Sequence, residues 1–147
     1  MRDEWGLNAD EREKVKAELT LAVNAGFIED AGLEAVEMRR RKKNEKLQNR
    51  LKEGKIVYGI TCYGKPAYLQ HELTKFRLDF VSGKAAGYAY KVITGEEKER
   101  FYRENQDLFT RYFGDIFPYE DVEDVIEKRI REEEYYGLVQ DILCQRP

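Results

Sequence analysis

The sequence predicts an α+β fold: an N-terminal helical hairpin, a small antiparallel sheet of about three strands, and two or three C-terminal helices. Three observations carry this. Apolar residues recur at helical spacing before residue 52 and after residue 100. They alternate with period two over 56–63 and 87–93, and turn signals such as Gly64-Lys65-Pro66 and Ser82-Gly83-Lys84 separate the two kinds of segment.

The first element starts at Asn8-Ala9-Asp10-Glu11, a capping-box pattern in which Asn8 accepts from a first-turn amide and Glu11 reaches back. Val15, Leu19, Ala22 and Val23 follow on one face, so a helix is expected over 9–25, closed by Gly26 in the left-handed conformation. Asp30 is placed to cap a second helix over 31–53, antiparallel to the first. That helix has apolar residues at Leu33, Val36 and Met38 and then none until Leu47 and Leu51. Two turns in its middle are therefore polar on every side, and they are expected to project past the core or lie along its edge. Because no apolar contact depends on that stretch, reversing its charges should leave the fold intact.

Ile56, Tyr58, Ile60 and Cys62 alternate with Val57, Gly59, Thr61 and Tyr63 and read as a strand. The next segment divides into a short helix over 66–73 and a strand over 75–81, in which Phe76, Leu78 and Phe80 share a face against Arg77 and Asp79. Residues 87–93 alternate as the return strand of a hairpin. Thr94 and Glu97 then open a helix whose stripe is Phe101, Leu108, Phe109, Tyr112 and Phe113, closed by Gly114. Pro118 is suited to start the last helical region, with Val122, Val125, Ile126 and Ile130 on one face and a bend at Gly137.

A chain of 147 residues with 41% hydrophobic content is expected to form one domain over 1–147, comprising a hairpin (1–53), a sheet region (54–95) and a helical region (96–147). Met1-Arg2-Asp3-Glu4-Trp5 lacks the apolar run of a signal peptide, and no stretch matches a membrane span, so a cytoplasmic location without a membrane partner is expected. Cys62 and Cys144 are far apart and lack neighbouring ligand residues, which predicts reduced core thiols and neither metal nor cofactor.

Charge is unevenly laid out. The net −3 resolves into −6 over 1–37, +7 over 38–55, +3 over 56–95 and −7 over 96–147. Such polarity points to electrostatic contacts, either with a partner or within the fold. The basic candidates are Arg39, Arg40, Arg41, Lys42, Lys43, Lys46 and Arg50, which suit a phosphate backbone or an acidic protein surface, or else pair with the chain's own acidic helices. The acidic candidates are Glu120, Asp121, Glu123 and Asp124, a face that suits a basic groove on another protein. A possible His71/Cys62 nucleophilic pair lacks an orienting carboxylate or a glycine turn.

The function expected on these grounds is non-catalytic macromolecule binding, in the manner of a small phage or mobile-element regulator or inhibitor (anti-defence or anti-CRISPR-like) of a nucleic-acid-handling protein. Direct DNA or RNA binding through residues 38–55 and a Lys/Tyr-rich sheet is the alternative, and a small enzyme using His71 and Cys62 comes third. Leu47 and Leu51 on one stripe also allow a homo-oligomer.

Overall fold

The computed structural model of the chain describes residues 1–111 and 114–145. Among them are five α-helices: α1 (Ala9–Asn24), α2 (Leu33–Lys52), α3 (Lys65–Val81), α4 (Gly95–Glu104) and α5 (Tyr119–Gln145), with a 3-10 turn at Gln106–Phe109 between the last two. No β-ladder is present among the described residues beyond one isolated bridge from Thr110 to Ile116. The protein is all-helical, which overturns the α+β expectation and its three-stranded sheet.

The N-terminal helices form where the sequence places them. Asn8 and Glu11 complete the capping box of α1, and Gly26 follows its end at φ +85°. α2 opens on Gly32 without a side-chain cap, and Asp30 bonds the Gly32 amide instead.

The division of 66–81 fails because helix α3 runs through it. Its buried residues Tyr68, Leu69, Leu73, Phe76 and Phe80 follow helical spacing, while Leu78, which a strand would bury beside Phe76 and Phe80, lies exposed. The other two expected strands are non-helical and unpaired. In 87–93 the alternation is met by helices, not by a sheet. The Tyr88 and Tyr90 rings pack on Phe80 at 5.2 and 5.1 Å, and Tyr90 Oη donates to the Phe80 carbonyl at 2.6 Å. Gly87 lets this segment cross the end of α1, where its amide bonds Ala25 O and a Cβ would collide with the carbonyl oxygen of Asn24.

Helix α4 stops well before Gly114. Asn105 leaves helical geometry at φ −127° and turns its side-chain amide onto the Phe101 carbonyl, competing with the next backbone bond. Leu108 and Phe109 therefore sit on the 3-10 turn; Tyr112 and Phe113, expected on the same stripe, lie outside the described residues. Gly137 bends nothing into a break: α5 is continuous over 27 residues, about 40 Å.

Helix α5 is the spine, packing on α1, α3 and α4, with α2 held on the far side against α3. Trp5, Val15, Leu19, Val36, Leu69 and Phe76 form the core between α1, α2 and α3. Ala17, Leu21, Phe80, Tyr135 and Val139 join α1, α3 and α5, and Phe101, Phe109, Val122 and Ile126 seat α4 on α5. Among the described residues no helix is long and apolar enough to cross a membrane.

Candidate partner-binding surface

The polar centre of α2 neither projects past the core nor stays wholly solvated. Arg39 Nε reaches Glu72 Oε1 of α3 at 2.8 Å, and the Glu72 carboxylate is buried. Burial pushes Glu72 above the usual carboxylate range although Arg39 pulls it down. Arg40 forks onto Glu37 with two 2.8 Å bonds and donates through Nη1 to the Tyr63 carbonyl at 2.8 Å. Arg41 Nε adds a 2.9 Å bond to Glu37. The Arg40 hydrogen bonds, outweighing desolvation, hold the Glu37 carboxyl down at about 2. Three of the five consecutive cations are thus structural, and their partners are Glu37 and Glu72 rather than the acidic face of α5. The expectation that reversing all five leaves the fold intact is corrected accordingly.

One turn further along, Asn44 brackets Tyr63, accepting from its amide at 2.7 Å and donating to its carbonyl at 3.0 Å. Gln48 Nε2 donates to Thr61 O at 3.1 Å. Residues 40, 44 and 48 lie four apart on one stripe, so α2 offers a column of side-chain bonds that ties down the backbone of 61–63. Sequence reading missed Asn44 and Gln48; their i, i+4 spacing from Arg40 puts them on one stripe, but their partners are backbone atoms.

Lys42, Lys43, Lys46 and Arg50 make no ion pair or hydrogen bond among the described residues. They remain the available part of the basic set. The chain leaves α2 at Gly54 and returns along the Arg40/Asn44/Gln48 stripe to Thr61, on the flank of the helix opposite Lys42, Lys46 and Arg50, and Leu51, Ile56, Tyr58 and Ile60 are exposed.

The acidic candidates are spread along the first turns of α5. Glu123 binds Lys98 at 3.0 Å and so fastens α4, whereas Glu120, Asp121 and Asp124 are exposed. On the same helix, Glu134 accepts from Tyr88 Oη and Arg131 Nη1, each at 2.7 Å. Burial works against its charge, but these bonds prevail and its carboxyl is lowered.

His71 is exposed beside the Tyr63 and Tyr68 rings, at 5.1 and 6.0 Å between centroids, and no hydrogen bond joins it to Cys62 among the described residues. Desolvation, then Lys43 and Lys75, lowers its pKa. Both cysteines are free, as expected, but exposed rather than in the core. An open groove of about 550 Å³ is lined by Arg12, Lys16, Asp30 and Glu34 among others. No cluster of three or more metal-ligating residues occurs among the described residues.

No family model matches the chain, and no curated protein matches it. Two solved structures do, both of the GH136 lacto-N-biosidase from Eubacterium ramulus, one native and one a selenomethionine derivative. Each is 25% identical, with a TM-score of 0.79, over 92% of this chain and 28% of that one. The chain therefore spans little more than a quarter of the enzyme whose helical part it resembles. Nothing in the fold or this likeness supports the phage, inhibitor or nucleic-acid readings. The Lys/Tyr-rich sheet invoked for nucleic-acid binding is replaced by helix and unpaired segments.

Proposed function

We propose that this chain is a non-catalytic helical domain that docks on the catalytic module of a carbohydrate-active enzyme of the glycoside-hydrolase kind. The observation that carries the reading is the proportion of the likeness: nearly all of this chain corresponds to 28% of a lacto-N-biosidase, so the same fold serves there as a minor part of a longer enzyme.

The disposition of the carboxylates supports a non-catalytic role. Glycoside hydrolysis in most families uses two carboxyl groups about 5–9.5 Å apart across a sugar-binding cleft. Here the most buried carboxylates are engaged inside the fold: Glu18 with Tyr135 and Glu72 with Arg39 join helices, and Glu134 ties Tyr88 to α5 and pairs with Arg131. The basic stripe left over on α2 and, on the other flank of that helix, the exposed apolar residues Ile56, Tyr58 and Ile60 give such a domain surfaces with which to bind.

The test is affinity isolation of the tagged chain from its source cells, with and without nuclease, followed by mass spectrometry. Recovery of a carbohydrate-active polypeptide, insensitive to nuclease, is the expected result. Recovery of a nucleic-acid-handling protein, or of nuclease-sensitive material alone, would overturn it.

A further inference from the structure

Met38, Lys42, Lys46 and Arg50 follow one another at four-residue spacing and form a column on the flank of α2 that faces away from Thr61 and Tyr63. From Met38 to Arg50 the column rises about 18 Å. Its three cations make no ion pair or hydrogen bond among the described residues, and Glu45, which lies between Lys42 and Lys46 in the chain, pairs with neither. At its N-terminal end the same flank borders a groove of about 530 Å³ lined by Phe27, Ile28, Ala35 and Met38, with the exposed carboxylates Glu29 and Glu34 on its rim. Met38, 59% exposed, belongs to both the groove and the column. An apolar hollow and a row of free cations thus lie in line on one face of one helix.

We propose that this flank of α2 is the docking face for an acidic segment of the partner module, with an apolar side chain of that segment seated against Met38 in the groove and its carboxylates over Lys42, Lys46 and Arg50. This deepens the reading of the chain as a docking domain and rests on it. An apolar anchor in a groove supplies most of the affinity in such an arrangement, and the charges beside it steer the encounter. Glu29 and Glu34 set the direction in which the segment lies, because its carboxylates are drawn towards Arg50 and repelled from the rim of the groove.

Charge and shape decide between occupants. A nucleic acid lying along the column would bring phosphates against Glu29 and Glu34, and so few phosphate contacts hold weakly at physiological salt. The acidic start of α5 in a second copy, at Glu120, Asp121 and Asp124, has the right sign of charge. That contact would join two different surfaces, however, leaving one of each free for a further copy, so the copies would run on into a ring or a filament. A segment of a partner module closes the contact at one to one, as a domain serving a single longer enzyme requires.

The experiment isolates the tagged full chain from its source cells, treats the complex with a water-soluble carbodiimide, which joins a lysine amine to a carboxylate in direct contact, and reads the joined peptides by mass spectrometry. Lys42 or Lys46 joined to an Asp or Glu of a carbohydrate-active polypeptide is the expected result. Capture of that polypeptide with links only from lysines off this flank, such as Lys98 or Lys128, leaves the docking-domain reading standing and overturns the docking face. Links from Lys42 or Lys46 to Glu120, Asp121 or Asp124 in a species of twice the chain's mass also overturn the face, as does nuclease-sensitive capture of nucleic acid. Capture of no carbohydrate-active polypeptide overturns both.

The recovered polypeptide then serves as the probe for Lys42→Glu, Lys46→Glu and Arg50→Glu combined in one chain, for Met38→Asp, and for Lys128→Glu as a cation off this flank. The triple variant should bind about tenfold or more weakly, chiefly through slower association, and should lose most of the salt dependence of the parent. Met38→Asp should act instead by speeding dissociation, because it removes the anchor. Melting should change little in any of them, since the three cations are unpaired and Met38 is exposed. Binding by the triple variant within about twofold of the parent, or an equal loss in Lys128→Glu, would overturn the docking face.

Discussion

Tyr135 Oη donates to Glu18 Oε1 at 3.1 Å in the buried seam between α5 and α1, joining residues 117 apart in sequence. Burial raises the Glu18 carboxyl above its usual range against the pull of that bond, and desolvation, ahead of the nearby Glu18 charge, raises the Tyr135 phenol strongly. The bond therefore stabilises a carboxylate that the seam otherwise penalises.

Tyr135→Phe should thus leave a buried acceptor without its donor and cost about 1–3 kcal/mol, read from denaturant unfolding at pH 7. Glu18→Gln keeps an acceptor and removes the buried charge, so its stability at pH 7 should equal or exceed that of the parent. The sign follows from the raised folded-state pKa: the parent loses stability as pH rises from the unfolded value of 4.5 through the folded one. The advantage of Glu18→Gln should therefore shrink on acidification below that window.

The Arg39–Glu72 pair between α2 and α3 should behave as a buried ion pair. Arg39 Nη2 has no hydrogen-bond partner among the described residues, and burial still raises the Glu72 carboxyl against the pull of Arg39 and Tyr68, so the pair is not fully compensated. Arg39→Met strands the Glu72 carboxylate, and a loss of about 3–5 kcal/mol is expected. Combining it with Glu72→Leu should recover most of that loss. A double-mutant cycle measures the difference, and strictly additive losses would show that the pair is not coupled.

Glu37 carries the acid sensitivity of the α2 stripe. Its folded pKa of about 2 lies below the unfolded 4.5, so its contribution is complete above 4.5 and is lost as pH falls through about 2. Glu37→Gln should melt lower than the parent at pH 6, with the gap closing towards pH 2. A gap independent of pH would mean that packing, not charge, is what the substitution removes.

The cations divide into two kinds that one experiment separates. Lys42→Glu, Lys46→Glu and Arg50→Glu, made singly, should each stay within about 0.5 kcal/mol of the parent, as free surface residues do. Arg39→Glu should unfold or severely destabilise the chain by placing a second carboxylate against Glu72. Equal effects from all four would remove the distinction.

Backbone protection reports the fold directly. Hydrogen exchange should be slow in 75–81, inside α3, and immediate at 56–60, where no amide has a partner among the described residues. Protection at 56–60 in the purified chain would indicate a ladder within it or between copies.

How much of this was legible in the sequence depends on what each pattern measures. The capping box at Asn8 and Glu11 fixed the start of α1 because it is a contact between residues three apart. Period two over 56–63 and 87–93 was read as strand pairing, but periodicity reports only which side chains share a face. In 87–93 that face packs on Phe80 and Glu134, and in 55–61 it leaves Ile56, Tyr58 and Ile60 largely exposed. The same residues in 75–81 fitted both periods, and the tie turned on Leu78, whose exposure no local pattern reveals.

The candidate site was half legible for a related reason. A run from Arg39 to Lys43 gives no sign of which cations find carboxylates, because Glu72 lies 33 residues from Arg39 and meets it only through the packing of α3 on α2. Asn44 and Gln48 went unnoticed because their partners are backbone atoms of Tyr63 and Thr61, which carry no sequence signature.

The central claim, that this helical domain docks on a glycoside-hydrolase module, is tested most directly by size-exclusion chromatography of the chain purified from its source cells, assaying each fraction with chromogenic glycosides. The account predicts that glycosidase activity co-elutes with the chain in a species heavier than its own 17.4 kDa and is absent from the chain alone. Elution of the chain by itself, with all glycosidase activity in other fractions, would contradict it.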